Sequence, residues 1–284
     1  MGESRAVGDA PPTVRPSSRV ISGKLGRALG LCALLVVAAH GAAAAQPRIE
    51  PDRPDLTDSV KTVQPSAVQI EAGLGYSHTS VGGVPSERRL TVQGLLRAGL
   101  TNSLEVRLGG EPFVRVRGTE DDTGHGDVTL GLKYRFLDAR DGAWWPALGV
   151  LPSVKLPAAS EPIGSERPDY TLLGLASFTL PWDFALDVNA GPALVGQSRP
   201  NGYLLQALTS ASLSRELTDR LSSFVEIFYA SRAQRDGRDA VGLDAGLTYS
   251  LSSRVALDVA VETSLAGPGP DWALTAGISA RFGR

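Results

Sequence analysis

His78 and Ser80 stand two residues apart and are the pair best suited by type to nucleophilic chemistry, an imidazole able to take a hydroxyl proton. They open a stretch, 78–88, rich in Thr, Gly and Val, and no strand-borne Asn is in view to orient the imidazole. His125 lies in the next stretch of the same kind, and two histidines beyond residue 45 are too few for a typical zinc cluster. No residue is therefore assigned to catalysis, to a cofactor or to a metal. What remains is charge. Arg97, Arg107, Arg115, Arg117, Lys133, Arg135 and Lys155 form one block along the chain, and Asp187, Glu226, Asp244, Asp258 and Glu262 form another.

Those charges occupy fixed positions in a period of two. From Val68 to Ser77 the residues Val68, Ile70, Ala72, Leu74 and Tyr76 alternate with Gln69, Glu71, Gly73, Gly75 and Ser77. In a strand the two sets face opposite ways. Leu104 to Arg117 holds its phase for fourteen residues, with Val106, Leu108, Val114 and Val116 on one face and Arg107, Arg115 and Arg117 on the other. The same alternation runs through 127–136, 184–194, 243–251, 255–265 and 272–282, and more weakly through 89–100, 147–156, 170–180, 203–213 and 221–229. That makes about twelve strands, an even number, as single-chain bacterial barrels have. The links at 101–103, 181–183 and 252–254 are short, whereas 78–88, 118–126, 157–169, 195–202, 230–242 and 266–271 are longer. Short turns on one rim and longer loops on the other fit an all-β, antiparallel transmembrane barrel with the short rim in the periplasm. The links 137–146 and 214–220 break that rule and mark places where strand ends are in doubt. A sandwich in water would put charges on its outward face; here they fall only on the face assigned to the interior.

The first 45 residues read differently. Arg15, Arg19, Lys24 and Arg27 precede an apolar run from Ala28 to Ala39, and Ala43-Ala44-Ala45 offers small side chains for cleavage. That order is a secretory signal, and the run is short of the ~20 residues a spanning helix needs. Cys32, the one cysteine, lies inside it behind the bulky Leu31, so lipidation and disulfides are not expected. Five of the 28 basic and two of the 30 acidic residues lie in this segment, which leaves 23 against 28 and a net charge of −5 beyond it. An acidic chain without basic runs carries no footprint for nucleic acid. The expected organisation is a signal peptide at 1–45, a periplasmic N-terminal segment at 46–66 and a barrel at 67–284. The segment at 46–66 is rich in Pro, Asp and Arg and has no period. It either enters the lumen as a plug or stays outside as a disordered tail, which is the default for such a composition.

Three stretches carry a family resemblance. They are Pro51-Asp52-Arg53-Pro54-Asp55-Leu56-Thr57-Asp58-Ser59 with Thr62-Val63 and Gln69-Ile70-Glu71; Gly126 to Tyr134; and Asp244 to Tyr249 with Leu257-Asp258 through Phe282. In these the chain resembles the outer-membrane transporter-like proteins named for the MetA pathway of phenol degradation. The resemblance implies a barrel in the outer membrane of a Gram-negative-type cell and passage of small, in some cases aromatic, compounds. Its partners would be outer-membrane lipids, the barrel-assembly machinery and a small-molecule solute. The His78–Ser80 spacing looks like that of outer-membrane phospholipase A, a weaker resemblance without the Asn.

In a closed barrel the basic and acidic blocks face each other across the lumen. Two outcomes are expected from that: a transverse field that orients dipolar solutes, or tight pairing that fills a narrow interior. Glu105, Glu111 and Asp127 sit among the basic block and neutralise part of it by local pairing. Arg281 and Glu71 lie on neighbouring strands if the barrel closes between its ends. A closed structural or adhesive barrel remains the alternative to a channel.

Overall fold

The computed structural model describes residues 48–283 apart from 82–83, 119–120, 140–144, 160–162, 166 and 199; the signal-peptide expectation and Cys32 lie outside these. The strands are β1 (Val68–Val81), β2 (Val84–Thr101), β3 (Leu104–Gly118), β4 (Asp122–Gly124), β5 (Val128–Leu137), β6 (Ala147–Leu156) and β7 (Asp169–Thr179). They continue as β8 (Phe184–Gln197), β9 (Gly202–Thr218), β10 (Leu221–Ala230), β11 (Ala240–Ser250), β12 (Val255–Ala266) and β13 (Trp272–Phe282). Each pairs antiparallel with its neighbours, and β1 pairs with β13 from Val68↔Phe282 to His78↔Trp272, which closes the sheet. Three-residue β4 only borders β3 at Val114–Val116, so twelve strands make the wall.

Closure removes sheet edges, and the side-chain period then decides which solvent each face meets. The burial is inverted relative to a protein in water: Leu74 is 51% exposed, while Glu71, Glu105 and Lys133 are 0% exposed. An outer surface of Leu96, Leu108, Leu130, Ile227, Val259 and Leu274 belongs in lipid, and a closed barrel satisfies its backbone there without water. Tyr76, Tyr134, Phe136, Tyr249, Trp272 and Phe282 stand exposed near strand ends, where aromatic girdles form. Together these features make the chain an outer-membrane β-barrel.

Two stretches expected as links are strand. The first two strands run on to Val81 and back from Val84, so His78 and Ser80 are strand residues. β9 continues to Thr218, which cuts the anomalous 214–220 link to a tight turn. One phase was also misread. Val92 pairs with Phe113 but Gly94 pairs with Gly110, so a bulge at Glu111-Pro112 adds a residue to β3. Pro112 has no N–H for the ladder, which suits it to a bulge. Beyond the bulge the faces swap: Val114 and Val116 are buried, and Arg115 and Arg117 are exposed on the outside. The assignment of Arg115 and Arg117 to the lumen is therefore corrected.

The segment before β1 lies inside the barrel. Ile49 N–H donates to the Ser253 carbonyl in the β11–β12 turn at 2.8 Å. The chain then climbs past Glu71, and Leu56 N–H reaches Glu226 on β10 at 2.7 Å. It crosses to Asn189 on β8, where Asp58 N–H donates at 2.8 Å, and to Ser177 on β7, where Val60 N–H donates at 3.0 Å. It descends through Val63 N–H on Glu105 at 2.7 Å, and Ser66 N–H bonds the Gly99 carbonyl at 3.1 Å before β1 begins. A Cβ at Gly99 would strike the carbonyls of Val63 and Gln64, so only glycine admits this return. Of the two courses open to this segment, the structure takes the plug.

Candidate functional site

The site is the lumen and the segment that enters it. Period two puts Arg97 of β2, Arg107 of β3 and Lys133 of β5 on adjacent inward positions of one wall. Asp52 sits between them, 3.1 Å from Arg97, 3.0 Å from Arg107 and 2.8 Å from Lys133. Asp58 adds contacts of 2.6 Å to Arg107 and 3.3 Å to Lys133. Arg97 is shared further with Glu71 at 3.1 Å and Glu105 at 2.9 Å. The wall alone thus holds three cations and two carboxylates, and the plug supplies two more. Burial by itself would raise the Asp52 carboxyl, but Arg97, Lys133 and Arg107 hold it well below the usual carboxylate range.

The facing wall is acidic and receives the opposite charge. Arg53 reaches Asp258 of β12 at 3.2 Å, Gln93 at 2.6 Å and Thr275 at 2.8 Å. Its guanidinium lies in a notch made by the paired Gly73 and Gly277, where a Cβ on either residue would overlap it. Glu226 accepts from Leu56 N–H and Thr57 Oγ1, and Thr57 Oγ1 also lies 2.8 Å from Ser210 Oγ. Asp55 accepts from Ser212 at 3.0 Å. Burial first, and then the Glu226 charge, push the Asp55 carboxyl well above its ordinary value. Asp187 accepts from Ser177, and Asp244 and Glu262 line the cavity above the plug.

Nearer the rims the remaining members of the two blocks do other work. Arg135 pairs with Asp138 at 2.7 Å at the short-turn rim. Lys155 pairs with Asp169 at 2.5 Å at the long-loop rim, and Asp127 there accepts the N–H groups of Ala158, Ala159 and Ser165 at 2.9–3.1 Å. Arg281 stands opposite Gln69, and Glu71 opposite Ser279, so Glu71 is taken by Arg97 and the plug backbone. His78 Nδ1 comes within 3.5 Å of Asp271 and its ring stacks on Trp272, 5.9 Å between centroids. Ser80 donates to that same Asp271 carboxylate at 2.5 Å rather than to the imidazole, so the imidazole is not placed to take its proton.

Above the plug, two cavities among the described residues border it. One of about 530 Å³ is bordered by Arg53, Asp55, Arg89, Glu111, Asp244 and Glu262. The other, of about 360 Å³, is bordered by Leu95, Leu151, Leu173, Leu208, Asn189 and Arg107, and Leu56 and Phe228 line both.

The pattern of the family described as "Putative MetA-pathway of phenol degradation" matches residues 51–282, a span that takes in both plug and barrel. The chain belongs to this family. Among solved structures it is similar to an outer membrane channel from Pseudomonas putida F1, at 15% identity and a TM-score of 0.63, over 83% of this chain and 100% of that one. It is also similar to the NanC porin, at 10% identity and a TM-score of 0.52, over 75% of this chain and 98% of that one. The KdgM porin in complex with disordered oligogalacturonate gives 9% identity and a TM-score of 0.50, over 76% and 99%. At such identities the likeness establishes the fold. No curated protein sequence matches the chain.

The first of the three stretches that carry the family resemblance forms the plug, a role its residue types did not show. Asp52, Arg53, Asp55 and Asp58 were not among the expected lumen charges, although Arg97, Arg107, Lys133 and Asp258 of that set pair with them. The inward glycines Gly73, Gly99 and Gly277 were the available signal. Tiny residues facing a lumen leave room for something to occupy it.

Proposed function

We infer that the protein is an outer-membrane channel for small solutes with an apolar body, and that the plug narrows the route without filling it. The observation that carries this reading is the cavity above the plug that joins Leu56, Leu95, Leu151, Leu173, Leu208 and Phe228 to Asn189 and Arg107. An apolar surface with a few polar groups is what a small amphiphilic ligand needs, and a wall meant only as a scaffold gains nothing by exposing leucines to a lumen. The family's description and the porin-type fold support the same reading. Small aromatic compounds fit its chemistry. The test is conductance in planar bilayers together with liposome uptake of small aromatic and non-aromatic solutes. A channel gives discrete openings, faster entry of apolar solutes, and slower entry of them in Phe228→Asp. A closed scaffold gives neither conductance nor uptake.

A further inference from the structure

The outside of the barrel carries a group of arginines that the lumen does not use. The bulge at Glu111-Pro112 turns Arg115 and Arg117 outward, and β2 brings Arg88 directly opposite Arg117. All three are exposed. Directly opposed residues on an antiparallel pair have Cβ atoms about 5 Å apart, where like charges repel. Among the described residues none of the three makes an ion pair. Glu87 faces the other side of β2 from Arg88, and Asp121 accepts from Gly118 N–H at 3.3 Å. An Arg–Arg pair without an ion-pair partner among the described residues, on a membrane protein's outer wall, is suited to an anion from outside the chain.

Height identifies which anion. The outward residues of β2 from Leu100 through Leu96 to Leu90 are apolar. Ten residues span ~33 Å along a strand, and a tilt near 40° makes that the ~25 Å apolar band of an outer-membrane barrel. Tyr76 stands opposite Leu90 and packs on Trp272, 5.5 Å between centroids, as part of the girdle. The next outward residue of β2 is Arg88. Arg88 and Arg117 therefore stand just past the apolar band on the long-loop rim, with Arg115 level with Leu90 at its edge and Phe113 below to meet an acyl chain.

We propose that Arg88, Arg115 and Arg117 bind the phosphate of a phosphorylated glycolipid in the outer leaflet. Guanidinium forks match phosphate oxygens in pairs, and a phosphate between Arg88 and Arg117 turns their repulsion into two charge-assisted contacts. The lipid's chains would lie on the apolar wall beneath.

The test uses the full-length barrel in detergent, titrated with diphosphoryl lipid A, with its dephosphorylated form, and with inorganic phosphate, and read by native mass spectrometry. Folding is checked by heat-modifiable gel migration. Binding of the diphosphoryl lipid should weaken at least about tenfold in Arg88→Gln/Arg115→Gln/Arg117→Gln. It should be unchanged in Arg215→Gln, an outward arginine at the other rim that covers Phe184. If the triple variant does not fold, Arg117→Gln alone serves. It relieves the repulsion, so it should raise thermal stability without lipid and lower the stabilisation that lipid adds. Equal binding by the triple variant, equal loss in Arg215→Gln, equal binding of the dephosphorylated lipid, or displacement by equimolar inorganic phosphate would each overturn the proposal.

Discussion

The two walls of the lumen meet the plug on unequal terms. On the β2–β3–β5 wall every cation is matched: Asp52 contacts Arg97, Arg107 and Lys133, and Asp58 contacts two of the same three. On the β8–β12 wall a single cation, Arg53, answers Asp258, while Asp244 is buried with Oδ1 lacking a hydrogen-bond partner among the described residues. Segregated charge that looked like a field across an open lumen is, in the lower half, a docking surface for a segment with its own segregated charges. Above the plug, Asp244 and Glu262 line the cavity, and Arg89 pairs with Glu111 at 2.7 Å beside them. A tight anchor on one side and a sparse one on the other suggest how the segment is held and where it yields first.

The largest effect should come from breaking the basic anchor. Asp52→Asn with Asp58→Asn leaves three buried cations facing two carboxylates. Removing one side of such a network costs about 3–5 kcal/mol, so protease should cut within 48–66 and conductance should rise. Arg53→Gln should do the same more weakly, since Gln93 and Thr275 are neutral and one charge-assisted bond is worth about 1.5–3 kcal/mol. Gly277→Val should copy Arg53→Gln without removing any charge, because its side chain fills the notch where the guanidinium lies. If Gly277→Val leaves proteolysis unchanged, the notch does not hold Arg53.

The same asymmetry predicts a two-sided pH dependence. Asp52 is depressed, so its contribution to docking is present above the free carboxylate value, about 3.9, and is lost as pH falls below it. Asp55 is raised, so its contribution is full below that value and is lost as pH rises through its elevated one. Plug protection in proteolysis should therefore decline as pH falls below the ordinary carboxylate range and again as pH rises through the elevated Asp55 value. Asp55→Asn should abolish only the second decline. The smallest effect should be Thr57→Val, which removes hydroxyl contacts to Ser210 and Glu226 and should loosen the plug by about 1 kcal/mol.

The barrel was legible in the sequence because lipid and lumen impose opposite chemistry on alternate residues, and segments such as Leu104–Leu108 or Val255–Leu265 cannot hide that. The closing pair β1–β13 followed from it. Phase inside β3 was not legible, because a bulge changes which face a residue meets without changing the residues, and Pro112 was its only local mark. The plug was not legible either. Its contacts join residues from 18 to 222 positions apart, and a segment without a period looks the same whether it is solvated or held by a surrounding wall.

The position of the plug can be tested directly. Thr57 Oγ1 and Ser210 Oγ lie 2.8 Å apart between plug and β9, and the chain has one native cysteine, Cys32. In a Cys32→Ser background, Thr57→Cys with Ser210→Cys should form a disulfide under mild oxidation of the folded barrel in its membrane. Single-channel conductance should then stay at the wild-type level, while deletion of 48–66 raises it. Failure of that pair to cross-link, with the barrel folded and conductance indifferent to the deletion, would contradict a segment held inside the lumen by its walls.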